Sequence, residues 1–336
     1  MQVLSAFRPY ALACVLAVGS TLLALAVTTS LDVPLRDPDG IAGPAWVRLP
    51  SIVALFVLAD LVPRLVARRS TDVRALMRER WSRERALRVA VGLGSFYATY
   101  VSYRNLKGAL PFLRPDTADA ALLELDRDLA LGHEPSTLLH DLLGTGFSAH
   151  ALSFVYLLFL AFVPLSLAAA LVWGRSSRIG SWYVTALCLN WLLGTASYYL
   201  LPSLGPVFVR PDLYADLPAT GVSALQESLA DGRLAVLADP DRPDRISGIA
   251  GFASLHCSIV FTAALLAHLV GMHRAVRWSL WAFLAGTVLA TAYFGWHYGV
   301  DDVAGLLIGG VSVLVAGWAT RSDRHEPAEE RELQPA

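Results

Sequence analysis

Eight stretches of this chain are apolar over close to the roughly 20 residues that a helix needs to cross the hydrocarbon core of a bilayer. They run over residues 10–31, 46–66, 88–104, 148–173, 181–201, 254–272, 277–296 and 300–319. That feature excludes most architectures at once, because a spanning segment must satisfy its backbone internally, and here it can do so only as a helix. Composition agrees: 55% of the 336 residues are hydrophobic and only 16% charged, too little polar surface to cover a soluble core of this size. The expected fold class is therefore all-α, a polytopic membrane helix bundle of about eight transmembrane helices. The apolar run at 10–31 is longer than a signal-peptide core, so it reads as a first span that stays attached.

Arginine placement orients the spans. Nine arginines lie from Arg64 to Arg88, between the second and third spans. The later loops on the same side carry Arg175 and Arg178, then Arg274 and Arg277, and the tail carries Arg321 and Arg324. Short arginine-bearing loops mark the cytoplasmic side, which puts both termini there and the intervening long segments outside, in a cell membrane. The basic cluster is thus topogenic, and with no interleaved aromatic platform it does not indicate nucleic acid. Residues 1–87 read as two N-terminal helices with a basic loop, 88–320 as a further six-helix membrane core, and 321–336, charged and poor in apolar residues, as a disordered tail.

Two outer segments are long. In 105–147, the leucines at 122, 125 and 129 share a helical face opposite acids, the pattern of an amphipathic helix on the membrane surface. Residues 202–253, rich in Pro, Asp and Gly, read as a long loop, either a surface excursion or a cover over a site. The three cysteines, Cys14, Cys188 and Cys257, fall within apolar stretches and are read as small buried side chains.

Ionisable residues near membrane depth are functional candidates, and three groups stand at the outer ends of spans. The first is Arg104, Lys107 and Arg114-Pro115, just beyond the third span. Lys107 is the only lysine among the 27 basic residues. These cations suit an anionic group, or else they snorkel to lipid headgroups. The second group is Ser254-Leu-His256 at the start of the sixth span. There a capping serine and free N–H groups favour an anion beside a histidine able to move a proton; the plainer alternative is an interfacial histidine with a helix cap. The third is His297-Tyr-Gly-Val-Asp301 between the last two spans. If that turn is helical the two side chains share a face, and the carboxylate would fix the imidazole tautomer and leave the other nitrogen free to attack. A structural His–Asp pair is the alternative.

The three groups together resemble the type 2 phosphatidic acid phosphatase superfamily, marked by K-x6-R-P, P-S-G-H and S-R-x5-H-x3-D. Lys107 to Arg114-Pro115 matches the first in full. Ala253-Ser254-Leu255-His256 keeps Ser and His of the second. The third keeps His297 and Asp301, with Ala290 and Thr291 in the Ser and Arg positions. The Ser-Leu-His variant, the Gly-Trp-His-Tyr third motif and Tyr-Leu-Leu-Pro-Ser-Leu-Gly-Pro at 199–206 are similar to the inositol phosphorylceramide synthase branch, whose members move a phosphoinositol head group between lipids. The resemblance implies that His297 attacks phosphorus to form a phosphohistidine, with Asp301 orienting it and His256 serving as acid and base. Lys107, Arg114, Ser254 and Arg104 would hold the phosphate, and Arg104, Arg210 or Arg245 would stand in for the absent third-motif arginine. It implies no cofactor and no metal.

The expected activity is metal-independent phosphoryl or phospho-head-group transfer at the extracytoplasmic face, with membrane lipids as donor and acceptor. The alternative is a lipid phosphate phosphatase acting on phosphatidic acid-like or polyprenyl phosphate substrates. Arginine-for-lysine and alanine-rich usage points to a GC-rich bacterial genome and away from a ceramide acceptor. Two other classes compete: a metal hydrolase ligated by His256, His297 and Asp301, and a transporter with a His/Asp proton relay, whose site would sit near the midplane instead.

Overall fold

The computed structural model describes residues 7–40, 43–68, 72–174, 176–239 and 248–320. Among them the chain forms α1 (Ala11–Ser30), α2 (Ala45–Arg68), α3 (Val73–Arg80), α4 (Arg83–Leu113), α5 (Asp119–Leu129), α6 (Pro135–Leu143) and α7 (Phe147–Trp173). After these come α8 (Ser177–Leu200), α9 (Pro206–Val209), α10 (Gly221–Ala238), α11 (Leu255–Leu269), α12 (Arg274–Tyr293) and α13 (Gly299–Ala319). A two-residue antiparallel pair, Asp39–Gly40 with Gly43–Pro44, is the one extended feature of the described residues. The protein is an all-α membrane bundle, and each of the eight expected spans is a helix. Five helical stretches are long and apolar enough to cross a membrane: Arg8–Ser30, Ala45–Ala67, Phe147–Trp173, Arg274–Tyr293 and Gly299–Ala319. Of the others, α11 is apolar but only 15 residues long, while α4 and α8 carry buried polar side chains, Thr99, Ser102 and Asn105 on α4 and Thr185, Asn190 and Thr195 on α8.

α1 packs along α4, α4 along α8, and α8 along α13 and α11, while α2 and α12 flank α7. α11 and α13 meet at backbone contact. A Cβ added at Gly305 would lie 2.3 Å from the carbonyl oxygen of Ser254, and one at Gly309 2.6 Å from that of Ser258. The spacing Gly305-x3-Gly309 puts both glycines on one face, which lets two membrane helices touch backbone to backbone. Polar glue completes the seam: Asn190 of α8 donates to Thr262 at 2.9 Å and accepts from the Ser258 hydroxyl.

Four sequence expectations are corrected. The third span does not end at residue 104, because α4 continues to Leu113 and carries Arg104 and Lys107 inside the helix. Pro111 lies in the last turn of α4, where it removes the hydrogen bond to the carbonyl of Lys107. That carbonyl is covered by Gly248, whose added Cβ would lie 2.4 Å away. Second, the long segment 202–253 is no simple loop. It holds α9, a 3₁₀ turn at Pro211–Tyr214, and the 18-residue α10, started by a Thr220/Ser223 capping box.

Third, α5 is an amphipathic helix, but its acids do not all face water. Asp119 and Asp126 are buried with Leu122, while Leu125 and Leu129 are exposed. Fourth, Cys257 is not merely a small apolar filler, since its thiol donates to Asp302 at 3.0 Å. The expected disordered tail at 321–336, Arg175 and Arg245 lie outside the described residues.

Candidate active site

Two helix starts meet at one end of the α11–α13 seam. Ser254 caps α11, its hydroxyl accepting from the Cys257 N–H at 3.4 Å, and its own N–H donates to the carbonyl of Asp301 at 2.9 Å. In the first turn of α11 the ring of His256 is held between Tyr156, at 4.7 Å between centroids, and Phe159, at 4.3 Å. Its Nδ1 lies 3.5 Å from Nε2 of His297.

His297 itself precedes α13, whose N-cap is Tyr298, so the His297–Asp301 pair is not the helical i, i+4 pair that the spacing suggested. Asp301 stands three residues after the cap, where its Oδ2 accepts from the Tyr298 N–H at 3.0 Å and approaches His297 Nδ1 at 3.4 Å. Both side chains are buried, 0% exposed for Asp301 and 6% for His297. The carboxylate that closes the helix start also lies beside one edge of the imidazole, and Nε2 on the far side is turned toward His256. Oriented this way, the pair can supply a nucleophilic nitrogen beside a proton donor and acceptor.

Of the expected phosphate-binding residues, Lys107 comes within electrostatic reach of His256, with its Nζ 5.3 Å from the centroid of Tyr198. Arg104 lies one turn earlier on α4, donating to the Tyr100 hydroxyl at 3.3 Å, and is close enough for its charge to act on Lys107. Ser254 lies on the histidine end of the seam. Arg114 differs: it is exposed at the C-cap of α4 and its guanidinium is bound to the carbonyl of Tyr199. Arg210 is likewise occupied at the surface, paired with Asp212 at 2.6 Å. That pairing holds the Asp212 carboxyl below its ordinary range.

The position of the family arginine has its own answer. Thr291 donates to Asp302 Oδ2 at 2.9 Å, while the Cys257 thiol binds Oδ1 and the Ser254 hydroxyl lies against the same carboxylate. A threonine here therefore serves a buried acid, where the family motif would place a cation. Sequence reasoning passed over Asp302, Asp119 and Tyr298. Only the adjacency of Asp302 to Asp301 was visible, and Asp119 is 179 positions from its partner Tyr298. Among the described residues no group of three or more His, Cys, Asp or Glu side chains is arranged to hold a metal ion.

The bundle thus brings two histidines, one of them beside an aspartate, together at the starts of two of its helices. The family model for the PAP2 superfamily matches residues 120–315, and the chain belongs to that superfamily. The matched stretch takes in Ser254, His256, His297 and Asp301 but begins after Lys107 and Arg114. No curated protein and no solved structure matches the chain.

Proposed function

We propose that the protein transfers a phospho head group between membrane lipids at the extracytoplasmic face, without a metal, through a phosphohistidine on His297. The observation that carries this reading is the line Asp301 Oδ2, His297 Nδ1 at 3.4 Å, and His297 Nε2 with His256 Nδ1 at 3.5 Å. Nε2 attacks the phosphorus of a lipid phosphodiester and the bond to the leaving oxygen breaks. His256 protonates that oxygen. In the second half His256 takes the proton of an acceptor hydroxyl, whose oxygen attacks phosphorus as the P–N bond breaks. Asp301 holds the Nδ1 proton throughout and stabilises the imidazolium that forms. Lys107, with Arg104 behind it and Ser254 at the opposite helix start, balances charge on the non-bridging oxygens.

Charge balance favours a diester donor. The third-motif cation is replaced by Thr291, and a second buried carboxylate, Asp302, stands beside Asp301. A singly charged phosphodiester suits such a site better than a doubly charged monoester, because an uncompensated buried charge is costly. An inositol phosphate diester fits this class. The second reading, a lipid phosphate phosphatase, uses the same residues with water as acceptor.

The test is lipid mass spectrometry on purified protein and its His297→Ala variant, incubated in excess chelator with phosphatidylinositol, phosphatidic acid, diacylglycerol and polyprenol. A new head-group-bearing lipid made only by the wild type is the expected result. Free phosphate with a dephosphorylated lipid would establish the phosphatase instead. Activity that needs added metal, or that survives His297→Ala, would refute the phosphohistidine route.

A further inference from the structure

The two histidines sit on separate helix starts, so something must hold those starts in register, and one buried carboxylate touches the supports of both. Asp119 is the first residue of α5 and only 2% exposed. Its oxygens accept the N–H of Leu204 at 3.0 Å, the N–H of Gly205 at 3.0 Å and the hydroxyl of Tyr298 at 3.0 Å. Tyr298, fully buried, is the residue after His297 and the cap of α13.

The Leu204–Gly205 strap reaches both motifs. Gly205 has φ +105° and lies so close to the carbonyl of Trp296 that an added Cβ would stand 2.5 Å away, a place open only to glycine. Val207, two residues on, donates to the carbonyl of Gly295 at 3.0 Å. In the other direction, Ser203 accepts from Gly251 through its carbonyl at 2.8 Å and from Phe252 through its hydroxyl at 2.9 Å. Those two residues lead directly into Ser254 and His256. A second acid of α5 supports the same end: Asp126, 5% exposed, accepts the N–H of Gly299 at 2.8 Å.

We propose that Asp119 is a positioning residue for phosphoryl transfer: by clamping Tyr298 on one side and the 204–205 strap on the other, it sets His297 against His256. It touches no reacting atom, and it rests on the phosphohistidine reading above. Mere anchoring of α5 would need neither the Tyr298 hydroxyl nor a strap that continues to the second motif. A misplacement of about 1 Å at a reacting centre can cost on the order of a hundredfold in rate, so a clamp of this kind is read in the chemical step.

The experiment measures single-turnover rate constants, which do not depend on the fraction of protein folded, with mixed micelles of phosphatidylinositol and polyprenol and with phosphatidic acid micelles. Wild type, Tyr298→Phe, Asp119→Asn, the double variant and His297→Ala are compared. Tyr298→Phe removes one hydroxyl and keeps the amide clamp, so it tests the link even if Asp119→Asn folds poorly. The expected result is a loss of tenfold or more in the rate constant for each single variant, with half-saturating donor concentration changed less than twofold. The double variant should be no slower than Asp119→Asn alone. Wild-type rate constants in folded Tyr298→Phe, or losses that multiply in the double variant, would overturn the proposal. Wild-type protein inactive on both donors, or active His297→Ala, would instead bring down the phosphohistidine reading beneath it.

Discussion

Replacing Gly305 by alanine probes the seam on which the two histidines depend. The added Cβ would lie 2.3 Å from the Ser254 carbonyl oxygen, about 1.1 Å short of ordinary van der Waals contact. The obstacle is backbone, so no side chain can swing aside, and α13 must move away from α11 by most of that distance. His256 rides on α11 and Asp301 on α13, so their relative position shifts by a similar amount. Overpacking of this kind costs roughly 1–3 kcal/mol, and a reacting group moved by about 1 Å loses on the order of a hundredfold in rate. Gly310→Ala on the same helix is the control, because its Cβ would meet Phe261 at an ordinary 3.7 Å. The assay pairs turnover of the lipid mixture with denaturant unfolding in detergent. Gly305→Ala with the rate and stability of Gly310→Ala would show that the helices are not held at backbone contact, and the reasoning would fail.

Asp301→Asn should cut turnover by roughly 10³–10⁴, the scale seen when the carboxylate behind a catalytic imidazole is neutralised, while expression and donor KM stay near wild type. A rate within tenfold would make Asp301 a helix cap only. Lys107→Ala should raise donor KM roughly ten- to hundredfold, as expected for losing one charge-assisted contact, with Lys107→Arg recovering part of it; unchanged KM in Lys107→Ala would assign the lysine to its contact with the Tyr198 ring. Asn190→Leu leaves the Ser258 hydroxyl without its acceptor and Thr262 without its donor. It should lower stability by about 1–2 kcal/mol in denaturant titrations, and wild-type stability would discount the polar seam.

The helices were legible because their signal is long and one-dimensional: an apolar run can span only as a helix, whatever it packs against. His256, His297, Asp301 and Ser254 were singled out because polar and ionisable residues near membrane depth are functional candidates, and the structure brings them to one end of the α11–α13 seam. What escaped was set by tertiary burial. Asp119 and Asp126 read as a solvated face by composition, but they point inward to meet N–H groups and a hydroxyl from other segments. Helix α10 was hidden by its Gly and Asp residues, which interrupt the apolar pattern without breaking the helix. Arg104 and Lys107 were placed at or beyond the end of their span, whereas α4 continues to Leu113 and carries both inside the helix.

The glycine contact between α11 and α13 bears on how the protein meets membranes of different thickness. A helix whose apolar length does not match the bilayer tilts or bends at a cost of fractions of a kcal/mol per ångström. Two helices in backbone contact at Ser254–Gly305 and Ser258–Gly309 have no compressible side-chain layer between them and must tilt as one body. α13 itself exposes Val303, Leu307 and Leu314, as α1 and α2 expose their Leu and Val residues, so the pair answers a thicker or thinner bilayer as a unit. The distance between the histidines should then change little with bilayer thickness, and reconstitution in short- or long-chain phosphatidylcholine should alter lipid supply more than the chemical step.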